Sequence, residues 1–201
     1  MKDTIKMIAA LVLFAAVACA GLAFVYESTS KTIAERKEKD LDDALRNLFP
    51  QGDEFSLVSG GLSSTDPKVT ISDSYSVKSG GQIIGTAVTA SSGGFQGDIT
   101  VLVGVDASGT ISGIKILQIS DTPGLGANAA KDNYYVNKLK KITFYGQFTG
   151  MKADENIAVK KDGGIVDAIT ASTITSRAVS LIVKNAARAG VEWIAANGGG
   201  N

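Results

Sequence analysis

The chain contains no histidine and a single cysteine, Cys19. Without histidine, the commonest metal ligand and the commonest general base are both missing, which removes zinc hydrolases, histidine-ligated haem and serine–histidine triads from consideration. One cysteine cannot close an internal disulfide. Excess charge of either sign is also lacking, because 20 Lys and Arg residues balance 20 Asp and Glu. No basic stripe with interleaved aromatics is present, so nucleic acid is not an expected partner. A Gly-x-Gly-x-x-Gly dinucleotide fingerprint is absent as well. No metal site and no catalytic acid or base is expected.

What the chain does have, near its start, is an uncharged apolar run from Met7 to Val25, preceded by Lys2 and Lys6 and followed by Tyr26 and Glu27. Its length fits one membrane-spanning helix. The lysines favour a cytoplasmic N-terminus, which puts the rest on the opposite face. Ala16, Ala18 and Ala20 offer small residues for a signal-peptide cleavage site, but the run stays apolar through Leu22, Phe24 and Val25. Cys19 follows Ala18 as in a lipid attachment site, although Ala16 is a poor match to the larger apolar residue such a site carries; the alternative role is filler within the anchor. About 170 residues remain beyond the run, enough for one domain with a real core.

The charged stretch from 27 to about 49 has apolar points at Ile33, Leu41, Ala44, Leu45 and Leu48, and reads as a helix leaving the membrane that Pro50 and Gly52 end. Residues 59–67 are rich in Gly, Ser and Asp and read as loop. Short strands are predicted at 68–71, 74–78, 83–89, 99–105 and 111–117, with tight reversals at Ser79-Gly80-Gly81 and at Asp106-Ala-Ser-Gly109. A short helix is expected over 131–141, extended segments at 142–145 and 157–159, a turn at Asp162-Gly163-Gly164, and a strand-like approach over 165–169. Ala178, Val179, Ile182, Val183, Ala186 and Ala187 then recur at helical spacing, so a helix over 176–189 can pack one face on a sheet, with either Gly190 as a stop or a further turn over Val191 to Ile194. The fold class is α+β: an N-terminal transmembrane helix, then a small antiparallel-sheet domain with packed helices.

Three segments are candidates for ligand binding. The first carries Thr170, Ser172, Thr173, Thr175 and Ser176 at the entrance to the last helix, where unpaired backbone donors favour phosphate. A plain helix cap by Thr170 or Ser172 is the simpler reading, yet capping needs only one hydroxyl. The second is Asp121-Thr122-Pro123-Gly124-Leu125-Gly126, a rigid turn suited to close approach by a flat or phosphorylated ligand, or a turn and nothing more. Third, Gly93-Gly-Phe95-Gln-Gly97 puts Phe95 within reach of an aromatic ring, or makes it the one core aromatic of a hairpin. Lys115, Lys131 and Arg177 are secondary candidates for phosphate, or ordinary surface charges.

Asp167-Ala-Ile-Thr170-Ala171-Ser172-Thr173 resembles the Asp-x-x-Ser/Thr-Gly-Ala-Thr flavinylation signature of FMN-binding domains in the Rnf and Nqr respiratory complexes. Thr122-Pro-Gly-Leu-Gly126 resembles the Thr-Pro-Gly-Leu-Gly loop of the same domains. With the membrane helix and a length near 200, almost the whole chain resembles the G-subunit family of the Rnf ion-translocating electron transport complex, to which the C subunit of the sodium-translocating NADH:quinone reductase is related. The resemblance implies FMN joined by its phosphate to Thr173 through a phosphoester. Asp167, Thr170, Ala171, Ser172, Thr175, Ser176, Phe95, Thr122, Pro123, Gly124, Leu125 and Gly126 would surround it. Ala171 and Ser172 depart from the usual Gly-Ala, and Ser172 is a rival acceptor one residue away.

The same resemblance implies an electron-relay subunit of a complex that couples ferredoxin:NAD oxidoreduction to sodium or proton translocation. Its expected partners are the other Rnf subunits, including integral membrane subunits with FMN or iron–sulfur carriers, and a flavin transferase during maturation. The implied layout is residues 1–6 cytoplasmic, 7–26 spanning, 27–52 a membrane-proximal helix and linker, 53–196 the FMN-binding domain, extracytoplasmic or periplasmic, and 197–201 a flexible tail. A stand-alone membrane-tethered FMN-binding redox protein and a noncatalytic extracytoplasmic assembly module are the alternatives.

Overall fold

The computed structural model describes residues 2–58, 60 and 62–198. Part of the expected 59–67 loop and of the expected 197–201 tail therefore lies outside the described residues. The chain divides into two compact units, Met1–Asp42 and Asp43–Asn201. The first unit consists of helix α1, which runs Lys2–Leu48 and continues into the second. Its apolar side chains from Ile5 to Tyr26 are exposed, and α1 is the one helix among the described residues long and apolar enough to cross a membrane.

The second unit is built on five strands, β1 (Glu54–Leu57), β2 (Thr70–Ser79), β3 (Gln82–Gly93), β4 (Asp98–Asp106) and β5 (Ile111–Gln118). They pair antiparallel in sequence order, an up-and-down meander. β1 has no counterpart among the predicted strands. The two strands expected at 68–71 and 74–78 are one strand, and the break between them is a register shift between Ile71 and Ser74. The β2–β3 turn relies on glycine, with φ of 57° at Gly80 and 82° at Gly81, where a side chain would be strained.

Alternation along β3 and β4 sorts their side chains onto two faces. Val88, Val101, Val103 and Val105 join a core with Val179, Ile182, Val183 and Ala186 of helix α2 (Thr173–Ala196). On the other face, the Phe49 ring covers Gly85 and Gly104, where an added Cβ would meet it at 2.6 and 3.0 Å. Both faces are thus buried at mid-sheet, which is why β4 is apolar at consecutive positions. Burial of an aliphatic side chain such as Ile182, fully buried here, is worth about 2–5 kcal/mol against alanine.

Helix α2 passes through Gly190 instead of stopping there. Gly190 lets the helix approach β3, since a Cβ would lie 2.7 Å from Thr86 Oγ1. The helix expected over 131–141 is not formed. A 3-10 turn, Gly126–Ala130, precedes a two-stranded ribbon of β6 (Tyr135–Asn137) and β7 (Ile142–Thr143). Tyr134 and Val136, two apart, both pack on the core, an alternation that extended chain allows and a helix does not.

The expected strands at 157–159 and 165–169 reduce to one parallel bridge, Val159 to Val166. Beyond it, the Gln147 side chain takes the place of a neighbouring strand: its Oε1 accepts from Asp167 N at 2.7 Å, and its Nε2 donates to Asp167 O at 3.1 Å.

Candidate functional site

An antiparallel meander returns to the same end of the sheet after every second strand, so the β3–β4 turn, the exit of β5 and the entrance to α2 meet there. Gly94 N closes the β3–β4 turn on Gly97 O at 2.8 Å. The exit of β5 leads into the turn at 121–126, where Gly124 has a φ of 82°. The segment ahead of α2 is folded back by bonds from Ser172 N to Ile169 O (3.0 Å) and from Ile169 N to Ser176 Oγ (2.9 Å).

Asp121 ties the three segments together. Its Oδ1 accepts from the backbone N–H groups of Phe95 (3.2 Å) and Gln96 (3.0 Å), and its Oδ2 accepts from Thr175 Oγ1 (2.5 Å). A Cβ on Gly126 would collide with both Asp121 Oδ2 and Thr175 Oγ1, so only glycine fits beside this pair. Asp121 opens the second glycine-rich segment in the sequence, but its role as the hub was not foreseen. The available signal was an acidic residue immediately before a tight turn in a chain that otherwise keeps its carboxylates on exposed segments.

Between these elements is a cavity of about 340 Å3, lined by Phe95, Asp121, Thr122, Leu125, Gly126 and residues 171–175. That volume is within the range of small-molecule sites, ~300–1,000 Å3. Three large apolar side chains at its rim face solvent: Phe95 is 63% exposed, Ile174 51% and Leu125 42%. Thr173 is half-buried at the first position of α2, and among the described residues its hydroxyl has no hydrogen-bond partner.

The start of α2 has the electrostatics of an anion site. First-turn amides have no intrahelical acceptor, and Ser172, in the capping position, makes no side-chain cap bond. The simple-cap reading of Ser172 is therefore overturned. Ser172 Oγ is buried without a partner among the described residues, a state that costs about 1–3 kcal/mol. Ala171, at the turn before it, has a φ of 61°, the left-handed region in which glycine is at ease. Asp121 is the one ionisable side chain in the lining, so the helix terminus supplies the positive potential there.

Eight of the thirteen residues singled out by sequence reach the cavity wall: Phe95, Thr122, Leu125, Gly126, Ala171, Ser172, Thr173 and Thr175. The other five do not line it. Pro123 and Gly124 form the outer, exposed part of their turn, where Gly124 O accepts from Asn128 Nδ2 at 2.7 Å. Thr170 is exposed and its N–H donates to Tyr134 Oη at 3.3 Å. Ser176 is fully buried; its Oγ accepts from Ile169 N and donates to Ser172 O. The Asp167 carboxylate pairs with Lys160 Nζ at 2.8 Å.

None of the three candidate cations lines the cavity. Arg177 grips Asp162 through Nε and an Nη, each at 2.6 Å. That guanidinium holds the Asp162 carboxyl below its ordinary range, and the carboxylate raises Arg177 in turn. Lys115 lines a different cavity, beside Asp132 and Tyr145, and Lys131 is exposed.

The described geometry coincides with a family match. Residues 94–188 match the model of the FMN-binding domain, an interval that encloses the Phe95 turn, the 121–126 turn and the uncapped start of α2. Along nearly its full length the chain is similar to the G subunit of the ion-translocating oxidoreductase complex of Methanosarcina acetivorans, 30% identical over 98% of each chain. This chain belongs to the G-subunit family of ion-translocating oxidoreductase complexes.

Two further relatives from this family support the same placement. The G subunit of the proton-translocating ferredoxin:NAD(+) oxidoreductase complex of Clostridium ljungdahlii is 35% identical, over 82% of this chain and 80% of the relative. The Na(+)-translocating counterpart from Acetobacterium woodii is 31% identical, over 89% and 87%. Similarity to the Methanosarcina G subunit, over 98% of this chain, covers both the apolar helix and the sheet domain, so the two parts belong to one family architecture. The cavity's donor set also fits FMN: free amides suit a phosphate, and an exposed apolar rim suits a flat ring.

Proposed function

We propose that this chain is a membrane-anchored flavoprotein subunit that relays electrons within an Rnf-type complex coupling ferredoxin:NAD oxidoreduction to sodium or proton translocation. The observation that carries this reading is the unpartnered Thr173 hydroxyl at an uncapped helix start, opening on a cavity with an apolar rim.

In this reading Thr173 Oγ1 carries FMN as a phosphoester, placed there by a flavin transferase. The amides of the first turn of α2 offset the phosphate charge, and Thr122 and Thr175 border it. Phe95, Leu125 and Ile174 give the ring an apolar surface. FMN supplies the one- and two-electron chemistry, which explains how a chain without histidine takes part in redox work. Asp167, turned towards Lys160, acts at a distance from the cavity as part of the segment the transferase reads.

Residues 7–26 span the membrane, residues 27–52 connect, and residues 53–196 form the flavin domain. Lys2 and Lys6 hold the N-terminus on the cytoplasmic side, so the flavin domain is extracytoplasmic. Tethering raises its effective concentration near the other subunits, which include integral membrane, FMN-bearing and iron–sulfur electron carriers. One helix cannot enclose a polar path, so ions move elsewhere in the assembly.

Co-expression with a flavin transferase, followed by denaturing electrophoresis under flavin fluorescence, tests the assignment. The wild-type band is expected to fluoresce and the Thr173→Ala band to be dark. A dark wild-type band favours a noncatalytic assembly module. A fluorescent Thr173→Ala band moves the attachment to another hydroxyl, with Ser172 the first to examine.

A further inference from the structure

Asp121 is 4% exposed, yet all three of its hydrogen-bond donors are neutral: the amides of Phe95 and Gln96 and the hydroxyl of Thr175. No Lys or Arg pairs with it among the described residues. Burying a carboxylate without a cation is costly. Hydrogen bonding alone does not require that charge here. An asparagine oxygen could accept from the same two amides, and its amide group could meet Thr175. The charge sits in the wall of the cavity described above, shielded from bulk water, where electrostatic influence is stronger than at the surface.

We infer that Asp121 is the positioning residue of the flavin site. It fixes the Phe95 turn against the first turn of α2, and its uncompensated negative charge holds the bound flavin at a low reduction potential. The inference rests on the assignment of FMN to this cavity. Its physical basis is that a fixed negative charge near the ring opposes the arrival of electrons, one of the means by which a protein tunes a cofactor it does not otherwise alter. The geometric half follows from the bonds themselves. One carboxylate spans residues 95, 96 and 175, and it lies with Thr175 Oγ1 so close to Gly126 that no side chain fits on that residue.

The test uses the full chain, solubilised after flavinylation by a co-expressed transferase, with three variants. Asp121→Asn keeps the shape and removes the charge; the flavinylated fraction of this variant is expected to show a midpoint potential shifted upward. Thr175→Val keeps the charge and cuts the tie to α2; it is expected to change flavin fluorescence while shifting the potential less than Asp121→Asn does. Asp121→Glu keeps the charge on a longer stem, and is expected to hold the potential low while altering fluorescence. Its potential tests the electrostatic role from the charge-retaining side, whether or not Asp121→Asn folds.

Flavinylated Asp121→Asn protein with the wild-type potential overturns the electrostatic role. A Thr175→Val shift as large as that of Asp121→Asn, or a raised potential in Asp121→Glu, overturns it equally. Intact mass of the wild-type protein, read before any redox titration, separates these results from failure of the cofactor assignment, which would appear as wild-type chain lacking flavin.

Discussion

Gly126 packs against Thr175 so closely that a methyl group on its Cα would lie 2.5 Å from Thr175 Oγ1. The contact joins the 121–126 turn to the first turn of α2, and the same methyl would also press on Asp121. Gly126→Ala is therefore expected to push α2 and the turn apart. Overpacking of this kind costs about 1–3 kcal/mol. Urea denaturation of the flavinylated protein should show that loss, and flavin occupancy should fall with it. Unchanged stability and occupancy would mean that the two turns separate freely.

Ala171 stands where the flavinylation signature usually has glycine, and it adopts a φ of 61°. A left-handed residue with a Cβ costs about 1–2 kcal/mol. Glycine gives back about 0.4–1 kcal/mol through greater freedom of the unfolded chain. Relief of strain wins, so Ala171→Gly should raise stability by up to about 1.6 kcal/mol. A matched pair of denaturant melts measures this, and a loss of stability would show that the turn does not hold Ala171 in that conformation in solution.

The Asp162–Arg177 pair makes a pH-dependent contribution. Hydrogen bonding to Arg177 puts the folded-state pKa of Asp162 below its unfolded value. The folded chain consequently binds fewer protons there, so this stabilisation is present above the unfolded carboxyl pKa and is lost as pH falls through the folded one. Arg177 is shifted upward, and its share is present below its unfolded pKa and lost only in strong alkali. Arg177→Gln should thus lower Tm near neutrality, with the gap to wild type closing in acid below the ordinary Asp value of ~3.9. Both side chains are partly exposed, so the effect should also shrink in high salt. A gap that persists unchanged at pH 2 would contradict the assignment.

Much of the sheet was legible because the apolar runs of β4 and β5 flank the Asp106 to Gly109 reversal, where Asp106 Oδ1 accepts from Ser108 N and Thr110 N as a local turn device. The packing face of α2 was legible from its 3.6-residue period, but its ends were not. Thr173 and Thr175 are β-branched hydroxyl residues that do not advertise a helix, and Gly190 serves close packing where it reads as a stop. Apart from the turn at 162–164 and the short β7 strand, the region from 131 to 169 was illegible for a different reason. Its backbone is satisfied by side chains distant in sequence, such as Gln147 with Asp167 and Tyr134 with Thr170, and those pairings leave no periodic trace. At the site, the motifs placed Thr173 and both glycine-rich turns, while Asp121 emerged only once three chain segments could be seen to share one carboxylate.

The most direct measurement is mass spectrometry of the tryptic peptide spanning residues 162–177, released by cleavage after Lys161 and after Arg177, from native, fully matured protein. The account predicts that this peptide is heavier by one FMN less one water, with fragment ions placing the addition on Thr173. An unmodified 162–177 peptide from the same material, with no flavin elsewhere on the chain, would contradict it.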